Sequence, residues 1–303
     1  MVRVSSHEER DAKEKHNQEH KMNTQKSTRV SPLRQAMIQH MEDRDLSPRT
    51  IKVYVYWVEK LSQHYQRSPA QIRVDEANAY LLHLIRERRA WSSVNQALSG
   101  VRMFYRTVME IERPALKIPP RKRAQKLPEV LTREEVLRLI GAHPTLKYRA
   151  ALNLLYGCGL RVNEAGTLRV NAIDSKQMRV RVVQGKGKRD RYTILPEATL
   201  KVLRSYWKTH RSTDYLFPGQ QPGHYASPAN IQKAYHVARK RAGITKSGGV
   251  HTLRHCFATH HLQVGTDLVT LQRMLGHGSL RTTARYLHVV VSAKEMRNPL
   301  DDL

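Results

Sequence analysis

Cysteine is nearly absent. The chain has 2 in 303 residues, Cys158 and Cys256, in unrelated segments with no Cys-x-x-Cys pairing. That excludes a disulfide scaffold and fits a reducing cytoplasm. Each cysteine reads as a small buried residue. Long apolar runs are missing too: none approaches the ~18 residues of a membrane-spanning helix. The first ten residues, Met1 to Arg10, lack the apolar h-region of a secretory signal. Acidic residues are also scarce, with Asp+Glu 26 against Lys+Arg 53 and a formal net charge of +27. Such a charge opposes compaction by self-repulsion and calls for a polyanionic partner. Membrane surfaces are polyanionic, but the basic residues are spread along the chain instead of forming one amphipathic anchor. Nucleic acid is therefore the preferred partner class and a membrane is not. A ribosome-associated or merely basic protein is the plain alternative.

The length fits two domains of ordinary size. Residues 1–30 carry charges of both signs and no Phe, Trp or Tyr, so they read as a disordered or partner-dependent tail. Residues 31–111 read as four helices. Ser31-Pro32 and Ser47-Pro48 each pair an N-cap with a first-turn proline. Asp75 and Ser93 are expected to start the other two helices, and four helices make a small bundle. Arg49, Lys52, Arg102 and Arg106 would lie on its surface, available to phosphates. Residues 112–129 contain clustered prolines and Lys or Arg without apolar periodicity, and read as an extended basic linker.

Residues 130–303 change pattern. Thr132-Arg-Glu-Glu135 is a capping box, and a second helix ends at Gly157-Cys-Gly159. Met178 to Gln184 alternates basic and apolar residues. Gly185-Lys186-Gly-Lys188 follows, and then Arg191-Tyr-Thr-Ile-Leu195, together a hairpin. Helices are expected at about 197–209, 227–242, 252–264, 267–275 and 279–289. The fold class is mainly α with a small antiparallel sheet, an α+β arrangement.

Four segments carry chemistry-bearing residues: Gly159-Leu-Arg161-Val-Asn-Glu164, the glycine-lysine hairpin, His251-Thr-Leu-Arg254, and Leu275-Gly-His277 followed nine residues later by Tyr286. Taken singly, each is an ordinary surface charge or packing residue. In this order they resemble the catalytic set of the tyrosine recombinases, the integrase and Xer-type family. The match is specific from about Leu131 to Val290 and reaches back to Ser31 as a pattern of helices and charge.

The resemblance implies a reaction. A phenol with a pKa near ~10 must become a nucleophile toward a phosphodiester. Arg161 and Arg254 match the arginines that hold the non-bridging oxygens, where bidentate, permanently charged groups follow the developing charge. His251 and His277 match the histidines that bond the phosphate and assist proton transfer. Lys186 matches the lysine that protonates the leaving oxygen. Tyr286 matches the nucleophile, and Glu164 an acidic position that orients an arginine. The family implies a C-shaped clamp on double-stranded DNA and a 3′-phosphotyrosyl link formed without ATP, metal or other cofactor. It also implies a homo-tetramer on two recombination sites, with accessory DNA-bending proteins as possible further partners. A cytoplasmic, nucleoid-associated place in a prokaryotic cell goes with it. The charge and the N-terminal tail lean toward a mobile-element enzyme.

Other readings compete. His251, His255, His260 and His261 lie close enough for zinc, but no acidic ligand flanks them; His255, His260 and His261 are expected on the helix surface or in packing. Gly185-Lys-Gly-Lys188 lacks the first-glycine spacing and Ser/Thr of a P-loop. Asp267–Leu287 alone could be a helix-turn-helix of a regulator, with Arg281 and Arg285 reading bases. A type IB topoisomerase shares the chemistry. If the charge serves a polyanion, affinity for duplex DNA falls steeply as salt rises. A fluorescence-anisotropy titration with a flat salt response contradicts that reading.

Overall fold

The computed structural model describes residues 31–120, 129–183 and 190–287. The expectations placed on residues 1–30, on the Gly185-Lys186-Gly turn and on the tail after Leu287 lie outside these residues. The chain divides into two compact units, Met1–Arg123 and Ala124–Leu303.

Among the described residues, four α-helices make the first unit: α1 (Pro32–Asp43), α2 (Pro48–Tyr65), α3 (Val74–Arg86) and α4 (Trp91–Thr107). Ser31 and Ser47 accept the amides of Arg34 and Thr50, at 3.3 and 3.2 Å, satisfying donors that a helix start leaves free. α3 starts at Val74, with Asp75 and Glu76 inside its first turn, where the helix dipole favours acidic groups. α4 starts at Trp91 instead of Ser93. Met37, Leu61, Leu81, Val101 and Phe104 fill the core. Tyr105 buries its ring there and donates its hydroxyl to the Ile72 carbonyl at 2.6 Å, so its own polar atom is paired.

The proline-rich run behaves differently from a free linker at its start. Leu116 is buried in the helical core. The Lys117 amide donates to Asn78 Oδ1 at 2.7 Å, and Arg102 Nη2 donates to the Leu116 carbonyl at 3.1 Å. Arg102 thus spends a donor on the backbone, and it is exposed like Arg49, Lys52 and Arg106.

The second unit opens with α5 (Arg133–Gly141), α6 (Leu146–Gly157) and the one-turn α7 (Val162–Gly166). A sheet of β1 (Ile173–Asp174), β2 (Arg179–Val182) and β3 (Arg191–Ile194) follows. It is antiparallel in the order β1-β2-β3, with Val180 opposite both Ile173 and Thr193. The two-residue β1 has too little alternation to be read from sequence. Among the described residues, five α-helices follow in this unit: α8 (Glu197–His210), α9 (Pro228–Arg241), α10 (His251–Gln263), α11 (Leu268–Leu275) and α12 (Leu280–Ala284). α6 is central; Ala150, Ala151, Leu152, Leu154 and Leu155 are all buried, in one core with Leu139, Val180, Leu203, Tyr235 and Leu253. Cys158 and Cys256 are buried free thiols of the same core.

Helix α12 is shorter than its sequence pattern. α12 ends at Ala284, and Tyr286 sits in the turn beyond instead of two helical turns in. Its amide bonds the Thr283 carbonyl at 3.0 Å, a three-residue closure tighter than the α-helical one. The ring packs with Phe257, Ala258, Leu271, Met274 and Leu275, and that burial draws the chain inward. Ser279 occupies the N-cap position of α12, but its hydroxyl makes no capping bond.

The first unit offers a test in which the sign decides. A helical Gly→Ala exchange ordinarily stabilises by roughly 0.5–1 kcal/mol. A Cβ on Gly100 would lie 2.9 Å from the Tyr54 carbonyl oxygen and 3.0 Å from its Cα. Both are backbone atoms of α2, so α2 and α4 must separate. Gly100→Ala is expected to lower stability by about 1–3 kcal/mol in urea unfolding. A gain in stability would contradict the close approach of these helices.

Candidate active site

Two left-handed glycine turns frame the site. Gly159 (φ 62°) follows α6 and Gly276 (φ 63°) ends α11. A Cβ at Gly159 would meet the Phe257 ring at 2.5 Å, and one at Gly276 the Arg191 side chain at 2.5 Å. Both turns therefore need glycine for conformation and for space.

Arg254, in the first turn of α10, ties the two turns together. Its Nη1 donates to the Gly159 carbonyl at 2.5 Å and its Nη2 to the Leu275 carbonyl at 2.6 Å. The side chain is 5% exposed. Arg161 precedes α7. Its amide donates to Glu164 Oε2 at 2.8 Å, its Nη1 to Glu164 Oε1 at 2.6 Å, and its Nη2 to the Gly276 carbonyl at 3.3 Å. Arg191, on β3, grips Glu164 bidentately at 2.9 and 2.7 Å and donates its Nε to the Met274 carbonyl at 3.0 Å. Arg254 stands 4.0 Å from the same carboxylate.

Three guanidiniums thus surround one carboxylate. Burial pushes the Glu164 carboxyl up, but the hydrogen bonds and charge of Arg191, with the bonds from Arg161, outweigh it and bring the group down to about 2. Burial lowers Arg254 to about 10, helped by the charge of Arg161. It stays a cation at neutral pH. One negative charge cannot neutralise three positive ones, so the cradle keeps a surplus of positive charge.

The other candidates gather on it. His277 follows Gly276; its Nδ1 is 2.9 Å from Thr283 Oγ1, and its ring lies parallel to that of Tyr286, centroids 6.3 Å apart. Burial and the charges of Arg254, Arg161 and Arg191 bring His277 down to about 4. His251 opens α10 with an exposed edge. Loss of solvent over the rest of the ring lowers its pKa, as do Arg254 and Arg161. Tyr286 is 7% exposed. Burial raises its phenol, and Arg254, Arg161 and Arg285 pull the other way without overcoming it. The resting nucleophile candidate is therefore a neutral phenol at pH 7. Lys186 lies outside the described residues.

Two participants were not anticipated. The Tyr286 hydroxyl is paired with neither His251 nor His277; it meets His255 Nδ1 at 3.1 Å. His255, read as a surface or packing residue, thus packs and bonds within the candidate site. The available signal was its position, one helical turn after His251 and beside Arg254. Arg191 read as part of a hairpin motif, and its grip on Glu164 is invisible locally. The remaining histidines of α10 are engaged elsewhere: His260 bonds the Tyr156 hydroxyl and the Leu131 carbonyl, and His261 bonds Thr266. Among the described residues, no group of three His, Cys, Asp or Glu could hold a metal ion.

The phage integrase family model matches residues 129–292, and the N-terminal SAM-like domain of phage integrases matches residues 33–114. The chain belongs to the phage integrase family. A Sinorhizobium fredii protein named as an integrase/recombinase is 37% identical over 265 residues, covering 87% of this chain and 86% of the relative. The tyrosine recombinase XerA of Thermococcus onnurineus is 33% identical over 250 residues, covering 81% and 86%. Among solved structures, a lambda integrase dimer bound to a COC′ core site superposes with a TM-score of 0.66 at 18% identity, covering 84% of this chain and 96% of that one. That last likeness speaks for the fold. It agrees with the expected class, a four-helix domain followed by a mainly helical unit with a small antiparallel sheet. In this integrase-family chain the arginine cradle and Tyr286 belong to the unit that the family model covers.

The cradle makes a stability prediction. The Glu164 carboxyl is depressed relative to an unfolded value near ~4.5. Its contribution is therefore complete above that pH and is lost as pH falls toward about 2. Glu164→Gln should destabilise the protein by roughly 2–4 kcal/mol at pH 7, with a gap that narrows below pH 4. A pH-independent gap in thermal unfolding would contradict the charge pairing.

Proposed function

We propose that this chain is a site-specific DNA recombinase that breaks and rejoins double-stranded DNA through a 3′-phosphotyrosyl intermediate. The observation that carries this reading is the surplus positive charge of Arg161, Arg191 and Arg254 around Glu164, with Tyr286 and His277 beside it. A phosphodiester supplies the missing anion. Its pentacoordinate transition state carries more negative charge still, so fixed guanidiniums lower the barrier.

In this reading Tyr286 Oη attacks the phosphorus, the bond to the 5′-oxygen breaks, and a 5′-hydroxyl leaves. Arg161 and Arg254 hold the non-bridging oxygens with N–H donors still available. Glu164, held by Arg191, fixes their planes. His251 and His277 bond the phosphate, and Lys186 protonates the leaving oxygen. The phosphotyrosyl link conserves the bond energy, so attack by another strand's 5′-hydroxyl rejoins DNA without ATP. Residues 31–111 serve as the helical DNA-clamping domain, 112–129 as a basic linker and 130–303 as the catalytic domain. A homo-tetramer on two sites completes the assembly, for integration, excision or resolution.

The regulator reading has little to stand on. α12, which would be its recognition helix, has 5 residues, and Tyr286 beyond it is buried.

The test uses nicked duplexes tiling the DNA beside this gene. A denaturant-resistant protein–DNA adduct is expected with the wild type and none with Tyr286→Phe, at equal affinity. Arg161→Ala and Arg254→Ala should slow adduct formation by about 10²-fold or more. Affinity should change far less, because ground-state binding is spread over many phosphates. Tight, site-preferring binding with no adduct would overturn the recombinase reading. Relaxation of supercoils without site preference would replace it with a topoisomerase.

A further inference from the structure

The phenol hydrogen of Tyr286 needs a destination, and the geometry offers one. His255 Nδ1 lies 3.1 Å from Tyr286 Oη, with the ring centroids 5.7 Å apart and the planes tilted by 48°. No other hydrogen-bond partner of that hydroxyl is found among the described residues. His277 spends its Nδ1 on Thr283 and only stacks against the phenol ring. We propose that His255 is the proton acceptor of the nucleophilic step, a catalytic residue acting directly on the reacting oxygen of Tyr286. This rests on the recombinase reading and adds to it the group that activates the nucleophile.

Three features of the site support the assignment. His255 comes from α10, the helix that also carries Arg254, so base and cation are set by one rigid element. The ring is half-buried, and burial together with the neighbouring charges of His251 and Arg254 lowers its pKa. It is therefore neutral at pH 7 and, with its proton on Nε2, accepts the phenol hydrogen bond through Nδ1. Tyr286, in contrast, is a protonated phenol whose burial makes spontaneous ionisation harder. A neutral imidazole at hydrogen-bond distance is what such a phenol lacks.

The step balances. The Oη–P bond forms as the P–O5′ bond breaks, and the Oη proton moves to His255 Nδ1. The leaving oxygen takes a proton from the acid assigned to Lys186. In the rejoining step the imidazolium at His255 returns its proton to Oη as the phenol leaves. His255 is a base in one direction and an acid in the other.

The experiment separates hydrogen bonding from proton acceptance and nucleophile activation from leaving-group protonation. Nicked duplexes that the wild type links would be made with sulfur in place of the bridging 5′-oxygen. A thiolate leaves without an acid, so the readout is the attack step. Single-turnover adduct formation would be followed for wild type, His255→Ala and His255→Asn, with affinity for the same duplex measured alongside. Asn can still bond the phenol but cannot take its proton. Both variants should bind DNA as the wild type does and form adduct about 10²-fold more slowly or worse. Wild-type rates in either variant overturn the proposal; for Asn they would leave His255 a positioning role only. Parallel loss of affinity and rate also overturns it, in favour of a folding role. Failure of the wild type and Tyr286→Phe to differ would instead sink the recombinase reading itself.

Discussion

One carboxylate, Glu164, has three guanidiniums to hold. Arg191 takes it bidentately, Arg161 bonds it through both side chain and amide, and Arg254 stands 4.0 Å away. Burying such cations is costly unless each is bonded. The site meets that cost with the carboxylate and with backbone carbonyls of Gly159, Met274, Leu275 and Gly276. Each cation is bonded in a fixed direction, and a surplus of positive charge is left over. Both properties are what a phosphoryl-transfer site requires: fixed dipoles and charges that need no rearrangement when negative charge develops.

Everything nearby follows from that network. The carbonyls it uses belong to two left-handed turns, so Gly159 and Gly276 are part of its geometry. The C-terminal end of α11 is pinned by Arg191 and Arg254 together, which places His277. Thr283 then holds the His277 imidazole, and the apolar cluster of Phe257, Leu271 and Leu275 draws Tyr286 in beside it. The core around α6 contributes stability; the polar network positions Arg161, Arg254 and His277, and the apolar cluster positions Tyr286.

Much of this is legible in the sequence, for identifiable reasons. Helix starts are local events, so Ser31, Ser47 and the Thr132–Glu135 box mark them within a residue. Gly276 marks the end of α11 because only a left-handed residue closes it. The motif residues of the site are recognisable by order and spacing, and Arg161, Arg254, His277 and Tyr286 lie together. What stays hidden is long-range. The contact from His255 to Tyr286 joins residues 31 apart, and that from Arg191 to Glu164 residues 27 apart. Neither leaves a trace in periodicity. The early end of α12 is similar, since burial of the Tyr286 ring, not the propensity of Leu280 to Arg285, decides it.

The central claim is that the cradle works by charge. It is tested most directly by removing the charge from the substrate. A duplex that the wild type links would be remade with a neutral methylphosphonate at the cleaved position, and adduct rates compared for wild type, Arg161→Ala and Arg254→Ala. If the guanidiniums compensate phosphate charge, the advantage of the wild type, about 10²-fold or more on phosphate, should collapse toward unity on the neutral linkage. An advantage of the same size on both linkages would mean that these arginines hold the fold or the DNA, and that charge compensation is not what the site provides.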